Sequence, residues 1–138
     1  MLNFERMIEM LFSKKNRNQI TLMHYEGLKG FVQDMPCSLT LDDSTLTFSK
    51  VKPDLSATLQ LSQIQAIEFL PEVNFLTQYH NSGIPTAKMG QKFYWVIKFT
   101  NISGEASHIA VWNVGGLKDR KFMDSIKSKL TPVSNYTL

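Results

Sequence analysis

The feature that most limits the fold is a pair of alternating segments, SLTLDDSTLTFSK, at residues 38–50. Leu39 and Leu41 alternate with polar residues before two aspartates, and Leu46 and Phe48 alternate with polar residues after them. Successive side chains of a strand point to opposite faces, so this period of two predicts a β-hairpin with one apolar face. A loop at the two aspartates pairs Leu41 with Leu46. The same register places Leu39 opposite Phe48, which brings all four apolar side chains to the core side.

Alternation of this kind recurs along most of the chain and predicts about seven short strands. The first of these strands begins near Gln19, and a turn is expected at Lys52-Pro53-Asp54. Ser62-Gln63 interrupts the next alternating stretch and suggests a corner, and Pro71 ends the strand that follows. Closely spaced strands of this type are typical of an antiparallel all-β domain.

Both tryptophans lie in the last predicted hairpin, residues 93–113. If residues 101–105 form its loop, Trp95 lies opposite Val111 on the core side, and Trp112 is left on the other face. A loop one residue shorter or longer would bring Trp112 to the core side instead.

Two amphipathic helices are expected, one at each end of the chain. The segment MLNFERMIEMLF at residues 1–12 has the i, i+3, i+4, i+7 spacing of one helical face, and the polar stretch SKKNRN follows it. After Gly115-Gly116, residues 117–130 form a second helix with an apolar side and a basic remainder. Its apolar side consists of Phe122, Met123, Ile126 and Leu130.

Residues 71–92 contain two glycines and two prolines and have no sustained periodicity. The segment exceeds the roughly 12–15 residues that loops without structure usually span in compact domains. It is therefore functional, mobile, or contains a short element that periodicity does not reveal.

Composition limits the classes of function. The net charge is +3, but the basic excess is terminal, and the aromatic-rich middle, residues 19–116, is slightly acidic. A nucleic-acid-binding protein is not expected, because such a protein concentrates Lys and Arg among its exposed aromatics. The single cysteine, Cys37, excludes an internal disulfide, and the start of the chain lacks a signal-peptide pattern, so a cytoplasmic location is expected.

No pattern in the chain indicates catalysis, a metal site or a cofactor site. His24, His80 and His108 are far apart in sequence; the first and last read as strand residues and His80 as a loop residue. Cys37 shares the phase of the apolar residues after it, which predicts an inert buried thiol. Asp42-Asp43 is explained by the hairpin loop, where aspartate side chains cap the local backbone. No specific small molecule is inferred.

The order of elements, with the segments given next, resembles the bacterial pleckstrin-homology-like (PH-like) domains. These segments are HYEGL at 24–28, the hairpin at 38–50, LQLSQIQAIEF at 59–69, and the closing WVIKFTN, HIAVWN and FMDSIKSKL. The resemblance implies a mainly β fold: a PH-like barrel of about seven antiparallel strands, closed by a C-terminal amphipathic helix, here with an extra N-terminal helix. Such domains serve as lipid-headgroup, peptide or self-association modules. The phosphoinositide-binding members place a Lys and an Arg in the first hairpin, where this chain has only Lys29.

We therefore expect residues 1–18 to form the helix and its basic linker, 19–131 the barrel and 132–138 a tail. The expected function is non-enzymatic binding or scaffolding through protein contacts, including contacts between identical chains in a homo-oligomer. The alternative is docking on an anionic membrane through the N-terminal helix and its Lys/Arg flank. Candidate interaction residues are Phe4, Met7, Ile8, Leu11, Lys14, Lys15, Arg17, Phe75, Tyr79 and Trp112.

Overall fold

A computed structural model describes residues 18–82 and 91–130. They form seven strands, a short 3-10 turn at Leu61–Gln63 and two α-helices. The strands are β1 (Asn18–Glu26), β2 (Met35–Leu41), β3 (Thr45–Lys50), β4 (Leu55–Gln60), β5 (Ile64–Pro71), β6 (Phe93–Thr100) and β7 (Ala106–Asn113). The helices are α1 (Glu72–His80) and α2 (Leu117–Leu130). The expected N-terminal helix and C-terminal tail lie outside the described residues.

All seven strands belong to one antiparallel sheet in the order β4-β3-β2-β1-β7-β6-β5. The predicted mainly β fold with a C-terminal helix is confirmed. The predicted closure into a barrel is not observed, since β4 and β5 are the two ends of the sheet and do not pair with each other. The chain turns between them at Leu61–Gln63, where the Gln60 N–H donates to the Gln63 side chain instead of to a neighbouring strand.

Both predicted hairpin registers are confirmed. Leu41 pairs with Leu46 and Leu39 with Phe48. In the last hairpin Trp95 pairs with Val111 and Ile97 with Ile109, which places Trp112 on the face opposite Trp95. Period-two patterning specified these registers because a slip by one residue would move a whole apolar set into water.

Helix α2 packs on the inner face of the sheet. The predicted apolar side is buried through Phe122, Met123 and Ile126, with Leu130 packed against the same core. The helix begins directly after Gly115-Gly116, as predicted. Near its start the Asn113 side-chain amide donates a 2.9 Å hydrogen bond to the buried Asp119 carboxylate, which ties α2 to the end of β7.

The second face of β6 and β7 carries a smaller core, which no sequence pattern predicts. Of the three alternatives for residues 71–92, a functional segment, a mobile one or one that contains a short element, the structure shows a short element, the helix α1 at Glu72–His80. This helix packs on Tyr94, Val96 and Ala110, so β6 is apolar on both faces. Asn81, in the left-handed conformation at φ 54°, ends the helix. Neither α1 nor α2 is long and apolar enough to cross a membrane.

Candidate protein-binding surface

An exposed aromatic ring lies at the end of the edge strand β5. Phe69 shares the inward phase of Ile67, yet 38% of its surface is accessible. Its ring stacks on Phe93 at 5.3 Å between centroids and tilts over Trp95 at 4.5 Å. Because no further strand pairs with β5 among the described residues, this aromatic group is buried on one side and open on the other.

Helix α2 places cations beside these rings. The Arg120 guanidinium lies 5.4 Å from the centre of the Phe69 ring, and the Lys127 ammonium lies 5.9 Å from the Trp95 ring. Leu117, which is 68% exposed, is three residues before Arg120 and so lies on the same side of the helix. We call Phe69, Trp95, Leu117, Arg120 and Lys127 the β5–α2 surface.

The basic character of α2 extends beyond this surface. Of its two acidic groups, Asp119 is buried against Asn113, and burial raises the pKa of its carboxyl. Its cations, in contrast, are all exposed. They are Lys118, Arg120, Lys121, Lys127 and Lys129. The helix therefore presents a positive field to solvent, which favours acidic partners.

The three predicted interaction residues within the described ranges lie on the other face of the sheet and make contacts inside the chain. Phe75 is 0% exposed and stacks on Tyr94 at 4.1 Å, so its ring is a core group of α1. The Tyr79 hydroxyl donates to Glu68 at 2.6 Å. The Trp112 indole N–H donates to Asp34 at 2.8 Å.

The Tyr79–Glu68 contact shifts the pKa of both groups. Burial, followed by the hydrogen bond to Glu68, raises the pKa of the Tyr79 phenol. The same bond, together with Lys98 at 3.0 Å, lowers the pKa of the Glu68 carboxyl. The three side chains thus join α1 to β5 and β6.

A second polar cluster centres on Glu26, at the end of β1. Its carboxylate contacts His80 through one oxygen and His108, at 2.7 Å, through the other. His80 is the last residue of α1, so its predicted loop position is wrong; the helix was not recognised in the sequence. The cluster connects β1, α1 and β7. His80 and His108 are 54 and 82 positions from Glu26 in the sequence, so no local motif could have revealed the cluster.

His24 is a strand residue and Cys37 is buried, both as predicted, and His24 is buried as well. The backbone N–H of Leu28 donates to the His24 ring at 3.3 Å, and burial lowers the pKa of this histidine. The Cys37 side chain is 1% exposed, and burial raises its pKa to about 11. Across residues 18–82 and 91–130, no group of three or more His, Cys, Asp and Glu side chains is arranged to hold a metal ion.

A cleft of about 500 Å³ is lined by residues of β2, β3, β4 and the turn between β3 and β4. The residues that line it include three serines, one lysine and one aspartate. The lysine, Lys50, lies 5.9 Å above the Phe31 ring. This lining does not concentrate positive charge as a phosphate-binding site would.

The remaining predicted interaction residues lie outside the described ranges. They are Phe4, Met7, Ile8, Leu11, Lys14, Lys15 and Arg17. Phe69 is a surface residue that no predicted motif included, although its place two residues before Pro71, near the end of a strand, was a signal that its ring could lie at the rim of the core.

Comparison with known proteins finds no family model that matches this chain and no curated protein that matches it in sequence.

Proposed function

We propose that this protein is a non-enzymatic, cytoplasmic binding module of PH-like architecture that acts through protein contacts. The strand order, with a helix after the last strand that packs on the inner face of the sheet, supports the PH-like assignment. The buried thiol of Cys37, with its raised pKa, is unsuited to nucleophilic chemistry, which supports a binding role.

The observation that carries the proposal is the exposed ring of Phe69, which packs on Phe93 and the buried Trp95 and lies beside Arg120 of α2. Binding energy at interfaces concentrates on aromatic and Arg side chains that lose their water on binding. Here an apolar side chain of the partner would pack on Phe69 and Leu117. An acidic side chain next to it would pair with Arg120, so the partner is an acidic protein segment with an apolar anchor.

A displayed library of random peptides, selected on the full chain, tests this proposal. We expect enrichment of acidic peptides that carry an aromatic or aliphatic residue. The variants Phe69→Ala and Arg120→Glu should each weaken binding of the selected peptides at least about tenfold, as loss of a hot-spot residue does. Enrichment of basic or featureless peptides would contradict the proposal.

Matched controls come from exposed residues elsewhere in the chain. Ile102→Ala removes a side chain that is almost fully exposed in the β6–β7 loop, and Lys52→Glu reverses a charge in the β3–β4 turn. Both should leave peptide affinity unchanged. If Arg120→Glu abolishes pelleting with vesicles rich in anionic lipid but has no effect on peptide binding, the surface binds membranes and the protein-contact proposal fails.

A further inference from the structure

The two edge strands of the sheet differ in how they are protected. Edge strands usually carry charges, proline or a bulge, which prevent pairing with another chain. β5 has a bulge between Ile64 and Ala66, an ion pair from Glu68 and a terminal proline. β4, LSATLQ, has no charged residue and no proline, and it pairs with β3 in unbroken register from Leu55 to Gln60.

The hydrogen-bond pattern shows which groups of β4 point away from β3. The Leu61 N–H donates to the Ser44 carbonyl at 2.9 Å, so Gln60 and Thr45 form a pair without direct hydrogen bonds. In an antiparallel ladder such pairs alternate with bonded ones. The main-chain groups of Ser56, Thr58 and Gln60 therefore point outward.

One of these outward groups is already satisfied. The Gln60 N–H donates to the Gln63 side chain at 2.9 Å, which ends the usable edge at that residue. The N–H and carbonyl groups of Ser56 and Thr58 remain directed at the open edge, and no further strand of the described residues pairs there.

We propose that β4 pairs antiparallel with β4 of a second copy of this chain, about a two-fold axis at Ala57. In this register Ser56 lies opposite Thr58 of the partner subunit, and each pair exchanges both main-chain hydrogen bonds. The sheet then continues from one subunit into the other. The β5–α2 surface, at the far end of the sheet, remains accessible, so this inference does not depend on the proposed function.

The side chains of β4 favour this register over its neighbours. On the inner side Leu55 meets Leu59 of the partner subunit, and the small Ala57 faces its own copy. A shift by one residue would set apolar against polar faces. A shift to an axis at Thr58 would require the Gln60 N–H to bond to the second copy, but this N–H already donates to the Gln63 side chain.

A second copy is the fitting partner because the edge is neutral and complementary to itself. The outer face beside it carries Ser38, Ser49 and Ser56 in one cross-strand row, with Thr47 and Thr58 in the next. Two copies therefore meet without like charges on the paired strands, although the whole chain has a net charge of +3. Closed two-fold pairing is also the commonest symmetry of homo-oligomers.

Light scattering on the full chain, across a range of concentrations, tests the association. We expect twice the single-chain mass for the natural sequence and the single-chain mass for Thr58→Pro, which removes an outward N–H. Thr47→Lys alters the same row one strand further in and should remain dimeric. A monomeric natural sequence at high concentration would overturn the inference. So would a monomeric Ile8→Asp variant alongside a dimeric Thr58→Pro variant, because residues 1–17 would then carry the contact.

Cross-linking tests the register without relying on a disruptive proline. At an axis through Ala57, the two copies of that residue form a close pair without direct hydrogen bonds, a geometry that brings Cβ atoms near disulfide range. Under mild oxidation Ala57→Cys should form a covalent dimer at least about tenfold faster than Ser56→Cys. Random collision predicts the opposite order, because Ser56 is the more exposed of the two. Faster cross-linking through Ser56→Cys would refute the proposed axis.

Discussion

Cys37 makes the stability of the fold depend on pH in the alkaline range. Its pKa is raised by burial from 9.0 to about 11, so the folded chain keeps a proton that the unfolded chain releases between these values. The thiol's contribution to the free energy of unfolding is complete below pH 9. It is lost as pH rises toward 11, by about 1.4 kcal/mol per pH unit.

Cys37→Ala should remove this dependence. We expect the free energy of unfolding of the natural chain, relative to that of the variant, to fall by about 2 kcal/mol between pH 8 and pH 11. Denaturant unfolding of both proteins under reducing conditions measures it. Because the tyrosines titrate equally in the two proteins, parallel pH profiles would show that the thiol is not protected by burial.

Tyr94 carries a hydroxyl group that the fold does not satisfy. Its oxygen is buried and has no hydrogen-bond partner among the described residues, while its ring stacks on Phe75. A buried polar group without a partner costs about 1–3 kcal/mol. Tyr94→Phe should therefore raise the free energy of unfolding by about 1 kcal/mol in thermal or denaturant unfolding.

Tyr79→Phe is the matched comparison for this substitution. Its hydroxyl is bonded to Glu68 at 2.6 Å, so its removal should lower stability by about 1 kcal/mol. Effects of the same sign for the two substitutions would contradict the assignment of one hydroxyl as satisfied and the other as not.

At the scale of the element, Gly27 allows β1 to meet β7 at their bulge. Its φ is +107°, and an added Cβ would lie 2.3 Å from the His108 carbonyl oxygen and 2.7 Å from the Ile109 Cα. Both atoms are backbone and cannot rotate away. Gly27→Ala should therefore cost at least about 3 kcal/mol, through backbone strain and a steric clash between two central strands.

Gly104→Ala separates these two contributions. Gly104 also has a positive φ, +84°, but an added Cβ would meet no atom within 4 Å. This variant should lose only about 1 kcal/mol, the cost of the left-handed conformation alone. Equal losses in chemical denaturation would mean that crowding at β7 contributes nothing.

The sequence pattern predicts the strands but not α1, and the difference has a physical reason. A hairpin such as β2–β3 shows its register in its own alternation, since its apolar face is local. The nine residues of α1 are too short to be stable alone, and their burial depends on Tyr94 and Val96 in a later strand. The Glu26 cluster also depends on tertiary contacts, because its members come from three separate elements.

At the scale of the whole molecule, the two cores differ in how many elements of the fold they connect. The main core joins α2 to residues from both ends of the sheet, including Leu59, Ile67 and Phe122. The second core, which contains Phe75, is formed by α1 together with β6 and β7, and β1 and β5 add partly buried side chains to it. Loss of packing in the first should therefore weaken the entire chain, and loss in the second should first release α1.

Phe122→Ala and Phe75→Ala test this difference because both remove a phenyl ring from a fully buried site. Each substitution should cost about 3–5 kcal/mol of local packing. In native-state hydrogen exchange Phe122→Ala should lower the protection of all strands by a common free energy. Phe75→Ala should raise exchange in α1 well before the amides of the β2–β3 ladder respond. If both variants lower protection uniformly, the two faces unfold as one cooperative unit and α1 is as integral to the fold as α2.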